Sequence, residues 1–145
     1  MHFDDMLLPL DTADTTTVAP TWGQGRATFG GLVAALLYRR AAAVLAARGE
    51  GVDAKPPRSL SFSLVAPLAP GPATVSVEIL RAGKNVTQLD ARIVQDGQVA
   101  AMMLGSFGAT RASEVLLAPP PAGCPPAASG PPCAARMPPG AARWP

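Results

Sequence analysis

Apolar and polar residues change period along this chain, and the changes mark out its elements. Residues 14–22 (DTTTVAPTW) are rich in Thr and Val and predict a first strand or extended arm. A Gly-rich loop follows over 22–31 (WGQGRATFGG). Residues 32–48 (LVAALLYRRAAAVLAAR) hold no Gly or Pro and consist mainly of strong helix formers. Gly49 stands where a helix usually stops. The first turns of this helix, from Leu32 to Leu37, have no polar face. A helix apolar all round must be buried, so other structure should wrap its N-terminal half.

Four strands are predicted next. Residues 58–66 alternate, with Leu60, Phe62 and Leu64 on one face and Ser59, Ser61 and Ser63 on the other. After a turn over 67–72, residues 73–81 place Val75, Val77 and Ile79 on one face. Ala82-Gly83-Lys84 is a tight turn. Residues 85–95 set Leu89, Ala91 and Ile93 against Gln88, Asp90 and Arg92. Asp96-Gly97 is a strong hairpin signal. Residues 98–107 are apolar on both faces, as in a strand that is central or at an interface. A long buried helix followed by an antiparallel meander is an α+β arrangement. The doubly apolar last strand points to a second copy or domain as its cover.

Composition divides the chain. The last 28 of its 145 residues hold ten Pro, eight Ala and three Gly. Such a segment cannot build helix or sheet, so 1–117 is read as one domain and 118–145 as a disordered tail. Two origins for the tail stand side by side: a Pro-rich extension, or GC-rich DNA read in a different frame. The formal charge of +2 comes wholly from Arg136 and Arg143, since residues 1–117 balance ten basic against ten acidic groups. That balance predicts no nucleic-acid partner. Residues 1–10 carry Asp4 and Asp5 and do not resemble a signal peptide. The most apolar stretch, 29–38, is half a bilayer span. A soluble, cytoplasmic protein is expected.

Candidate chemistry is sparse. His2 is the single histidine, at the start of the chain, and Cys124 and Cys133 lie in the tail. That excludes an ordered His-nucleophile pair and a four-ligand zinc site, so no metal is expected. Gly30-Gly31 opens the long helix, where unpaired N–H groups and the helix dipole meet. Its backbone could serve as an oxyanion hole, or the two glycines could simply permit a sharp turn into a crowded core. No carboxylate stands near them in sequence; Asp90 reads as a solvated or cross-strand paired residue rather than a catalyst.

The ordered segments RATFGGLVAALLYRRA (26–41), RSLSFSLVAP (58–67) and VEILRAGKNVTQLDARIVQDGQVAAMMLGSF (77–107) together resemble the N-terminal half of the acyl-CoA thioesterase II type. That family has a double hotdog fold, in which a sheet wraps a long helix. The resemblance covers about residues 14–110. It implies binding, and in an active member hydrolysis, of fatty acyl-CoA, with coenzyme A entering as part of the substrate and no separate cofactor. It also implies a homodimer or higher homo-oligomer. Gly30 and Gly31 become oxyanion-hole candidates, and Phe29, Ser61, Lys84 and Asn85 substrate-binding candidates, with Lys84 either meeting the CoA phosphates or simply solvated. Two departures stand out. The family's catalytic acid, threonine and glutamine lie mainly in a second hotdog half, so the general base stays unidentified. The turn reads Gly83-Lys84-Asn85 where an Arg-Ser pair is common. The alternative is a non-catalytic module that binds acyl-CoA or a partner subunit. A hotdog dehydratase is disfavoured, because that chemistry generally wants a His-Asp pair.

Overall fold

The computed structural model describes residues 2–112, so Cys124, Cys133 and the 118–145 segment lie outside the described residues. A short helix α1 (Phe3–Leu7) and a 3-10 turn (Leu8–Asp11) lead into strand β1 (Thr15–Val18). A second 3-10 turn (Pro20–Trp22) and a small hairpin, β2 (Gly23–Gln24) and β3 (Ala27–Thr28), precede the long helix α2 (Gly30–Ala47). Strands β4 (Pro57–Leu64), β5 (Gly71–Ala82), β6 (Val86–Gln95) and β7 (Gln98–Gly108) follow. The five-stranded antiparallel sheet runs in the order β1-β5-β6-β7-β4.

Helix α2 lies across the inner face of this sheet. Its Leu32, Val33, Leu36, Leu37, Ala41 and Leu45 are buried, at the three- and four-residue spacing of one helical stripe. They meet Val75, Leu89, Ala91, Ile93, Met103 and Phe107 of the strands in one core. Along β7, Ala100, Ala101, Met103 and Phe107 enter it, while Leu104 points outward, about half exposed. By length and composition α2 could cross a bilayer, but a core helix passes the same test.

The strands alone do not account for the apolar first turns of α2. Residues 3–11 complete the wrapping, and Met6 and Leu10 are wholly buried in the common core. The Thr16 hydroxyl donates to the Met6 carbonyl at 2.6 Å, and Arg40 Nη1 donates to the Leu10 carbonyl at 3.3 Å. Arg39 pairs with Asp11, whose hydrogen bond raises the guanidinium pKa. The two arginines that interrupt the apolar run are thus the clasp holding this segment down.

The ends of α2 are set by local chemistry. Gly49, at φ 72°, closes a Schellman motif in which Glu50 N–H reaches the Leu45 carbonyl and Gly49 N–H the Ala46 carbonyl, both at 2.9 Å. Lys55 is buried and donates to the Gly83 carbonyl at 2.9 Å and to Thr87 Oγ1 at 3.0 Å. Thr87 Oγ1 in turn donates to Glu50 at 2.7 Å. This network ties the loop after α2 to the β5–β6 turn. It holds the Glu50 carboxyl below its ordinary pKa, through the Thr87 hydrogen bond first and then Lys55, against the opposing effect of desolvation. Asp96 and Gly97 both take positive φ, as a tight hairpin turn requires.

Candidate functional site at the start of the long helix

Phe29 caps α2 at φ −51° and ψ 124°, outside the helical region, and no side chain caps the helix. Its N–H donates to the Trp22 carbonyl at 2.8 Å. Its own carbonyl accepts from Leu32 N–H at 3.0 Å and Val33 N–H at 3.3 Å. The first-turn amides of Gly30 and Gly31 are left without a backbone acceptor among the described residues. Two free donors at the positive end of an 18-residue helix form an electrophilic corner. Neither glycine has positive φ, so close approach explains them. A Cβ on Gly31 would overlap the Phe29 ring, and one on Gly30 would lie 3.2 Å from Leu64 Cδ1.

Beside this corner is a cavity of about 260 Å³, lined by Thr28, Val33, Leu64, Val65, Leu68 and Ala100 among others. Thr28 fixes its wall, with N–H and hydroxyl both donating to the Leu68 carbonyl at 2.9 and 2.8 Å. The lining is otherwise apolar, and no carboxylate belongs to it among the described residues. The corner therefore offers donors and apolar contact but no base. Asp90, on the outer face of β6, accepts from Arg92 Nε at 3.1 Å and Nη2 at 2.6 Å. That contact raises the Arg92 pKa and holds Asp90 in an ion pair.

The residues singled out from sequence fall in three places. Phe29, Gly30 and Gly31 sit at the helix start. Ser61 pairs with Leu104, on the face of β4 turned away from the helix. Lys84 and Asn85 lie at the opposite end of the sheet, in a cavity of about 400 Å³ shared with Arg81, Gln88 and Arg111. Seven strand residues separate Val86 from Ile93, the level of the helix start, or about 23 Å of strand. Arg81 and Arg111 were missed. Arg81 stands in the same Arg-Ala-Gly-Lys turn as Lys84, and that shared turn was the available signal.

A free edge completes the geometry. Among the described residues β4 pairs only with β7, and its other edge is open over eight residues. Phe62 and Leu64 are 39% and 65% exposed there, with Val65 at 59% and Phe29 at 46% nearby. Long exposed edges with apolar side chains are templates for strand addition.

The family model of the acyl-CoA thioesterase N-terminal domain matches residues 18–108. No curated protein matches the chain. Among solved structures, a hotdog-fold protein of unknown function from Alicyclobacillus acidocaldarius is 23% identical at a TM-score of 0.62. That match covers 84% of this chain but 47% of the other. The PaaI protein of E. coli, from the phenylacetic acid degradation operon, is 21% identical at a TM-score of 0.59, over 65% of this chain and 72% of its own. A Bacillus halodurans protein solved with CoA is 21% identical at 0.56, over 65% and 64%. This chain thus spans about half of one of these proteins and under two thirds of another. At these identities the structures speak for the fold, a hotdog, which is the one the order of segments implied. With a model matched from the last residue of β1 through the end of β7, the chain belongs to the acyl-CoA thioesterase N-terminal domain family.

Proposed function

We propose that this hotdog domain binds fatty acyl-CoA and promotes hydrolysis of the thioester to free acid and CoA, as a cytoplasmic enzyme of the type II kind. The observation that carries this reading is the pair of free amides, Gly30 and Gly31, beside an apolar cavity. The thioester carbonyl oxygen sits at the amides, and hydrogen bonds to it strengthen as it gains charge in the transition state. The acyl chain runs along Val33, Leu64 and Ala100. Water attacks the carbonyl carbon, the C–S bond breaks, and CoA leaves as the thiol. The base that takes the water proton comes from outside the cavity lining described above.

A second copy of the chain fits the open β4 edge. Antiparallel pairing of two β4 strands would close both edges into one ten-stranded sheet and cover Phe62 and Leu64. No metal or separate cofactor enters this scheme. The reading is tested with purified protein and a panel of acyl-CoAs of graded length, following thiol release. Turnover on part of the panel supports it. A folded protein that releases no thiol from any of them overturns it.

One observation favours a second reading. The cavity lacks a carboxylate among the described residues, so the domain would serve as a non-catalytic acyl-CoA-binding module. Tight acyl-CoA binding without turnover is its signature.

A further inference from the structure

Strand β7 has one residue more than β6 can pair, and that residue lies beside the candidate site. The two strands pair one to one from Val86↔Gly108 to Ile93↔Ala101, but Val94 then faces Val99, so Ala100 has no partner on β6. On the other side the Ala100 carbonyl accepts from two successive amides, Val65 N–H and Ala66 N–H, both at 2.9 Å. This is a β-bulge, and a bulge re-aims a side chain that regular alternation would send to the opposite face. The burial follows: Ala100 and Ala101 are consecutive, yet both are buried. Ala101, opposite Ile93, belongs to the regular inward set, and Ala100 is the one that lines the cavity at the helix start.

That cavity is closed at one end and open at the other. Thr28, Val33, Leu68 and Ala100 form its floor, each at most 6% exposed, while Leu64 and Val65 stand at its mouth. A chain entering past Leu64 therefore cannot run on into the core, which α2 and the strands fill. The floor offers no free donor to a polar tail. The Thr28 hydroxyl and N–H both already donate to the Leu68 carbonyl. A carboxylate at the tail would lose its water without gaining a partner, so an apolar end is what fits. Its size follows from the volume. At about 30 Å³ for each water-sized group, 260 Å³ accommodates about eight or nine methylene and methyl groups.

We propose that Ala100, turned inward by the bulge, is the length stop of this pocket, and that the chain's preferred thioester carries an unbranched acyl group with about eight carbons beyond its carbonyl. This rests on the acyl-CoA reading given above. Val33, in the first turn of α2, is the facing wall of the stop. Each methylene that enters the cavity leaves water and strengthens binding about fourfold. Methylenes that find no room above the floor stay in water and add nothing. A larger side chain at position 100 fills the floor and shortens the pocket.

S-alkyl thioethers of CoA, from ethyl to hexadecyl, cannot be hydrolysed and so read the pocket independently of turnover. Calorimetry on the full chain should show Kd falling about fourfold per methylene up to about eight carbons and levelling off beyond. Ala100→Val adds two methyl groups at the floor in a residue that suits a strand, and should move that break about two carbons shorter. Val33→Ala takes two methyl groups from the facing wall, keeps a good helix former, and should move it about two carbons longer. Circular dichroism checks both folds, and either folded variant decides. A Kd that keeps falling to hexadecyl, or that ignores length altogether, overturns the proposal. A break at the same length in wild type and in the folded variants overturns it as well. Thiol release from the matching acyl-CoAs reports separately on hydrolysis. A break in the thioether series with no thiol release removes the thioesterase reading and leaves the length stop standing. Thiol release with no break in either series does the reverse.

Discussion

Replacing Gly30 by proline removes one candidate donor with little other change. Gly30 is the first helical residue, a position where proline is favoured because its missing N–H has no intrahelical partner. The preceding Phe29 has ψ 124°, within the extended range that a following proline requires. The one neighbour in the way is Leu64 Cδ1, 3.2 Å from where the new Cβ would stand, on a side chain free enough to turn aside. Stability should therefore stay within about 1 kcal/mol of wild type. Loss of a single oxyanion donor costs about 10²–10³ in kcat, or about 2.7–4 kcal/mol, with KM little changed. Gly30→Ala makes a similar demand on Leu64 but keeps the N–H, and should retain kcat within a few-fold. The assay is steady-state thiol release by both variants on the best acyl-CoA, with thermal melts as the fold control. If folded Gly30→Pro turns over as fast as Gly30→Ala, the Gly30 amide does not polarise the carbonyl.

Other perturbations test the frame around the site. Met6→Ala should cost about 2–5 kcal/mol in denaturant melts, because it empties a wholly buried position; a change below about 1 kcal/mol would detach the first turn from the core. Lys55→Met deletes charged hydrogen bonds to Gly83 and Thr87 and should destabilise by about 1.5–3 kcal/mol, with an unchanged melt as the contrary result. The Glu50 carboxyl has a lowered pKa in the fold, so its contribution is complete above the unfolded value near about 4.3 and disappears as pH falls through the folded value. Glu50→Gln should accordingly flatten stability against pH in that acid window, and an unaltered acid limb would contradict it. Phe62→Asp should lower the mass seen in sedimentation toward that of one chain, whereas an unchanged mass would remove β4 as the pairing edge.

The elements were legible where the hydrophobic period was long. Two-residue alternation located β4 to β6 to within a few residues, and the Asp96-Gly97 turn, found at its true position, marked the start of the doubly apolar β7. The long helix starts two residues before its apolar run because glycines carry no helix signal of their own. Residues 3–11 went unrecognised, since five helical residues and a Pro-containing 3-10 turn are too short to show a period. Their burial is a tertiary fact: Met6 and Leu10 close the side of α2 that the sheet leaves open. The expected arm over 14–22 splits into β1 and a 3-10 turn, because Pro20 lacks the N–H to extend the strand. At the site, Gly30-Gly31 could be read from the sequence because a helix start is a local property. The opposed positions of Gly30 and Lys84 could not, since strand order and sheet length place them.

Thiol release followed across protein concentrations that span self-association tests the central claim most directly. Hydrolysis at the Gly30–Gly31 corner requires thiol release from at least one acyl-CoA of the panel wherever the protein is folded and paired. A folded, fully paired protein that releases no thiol from any acyl-CoA would contradict hydrolysis.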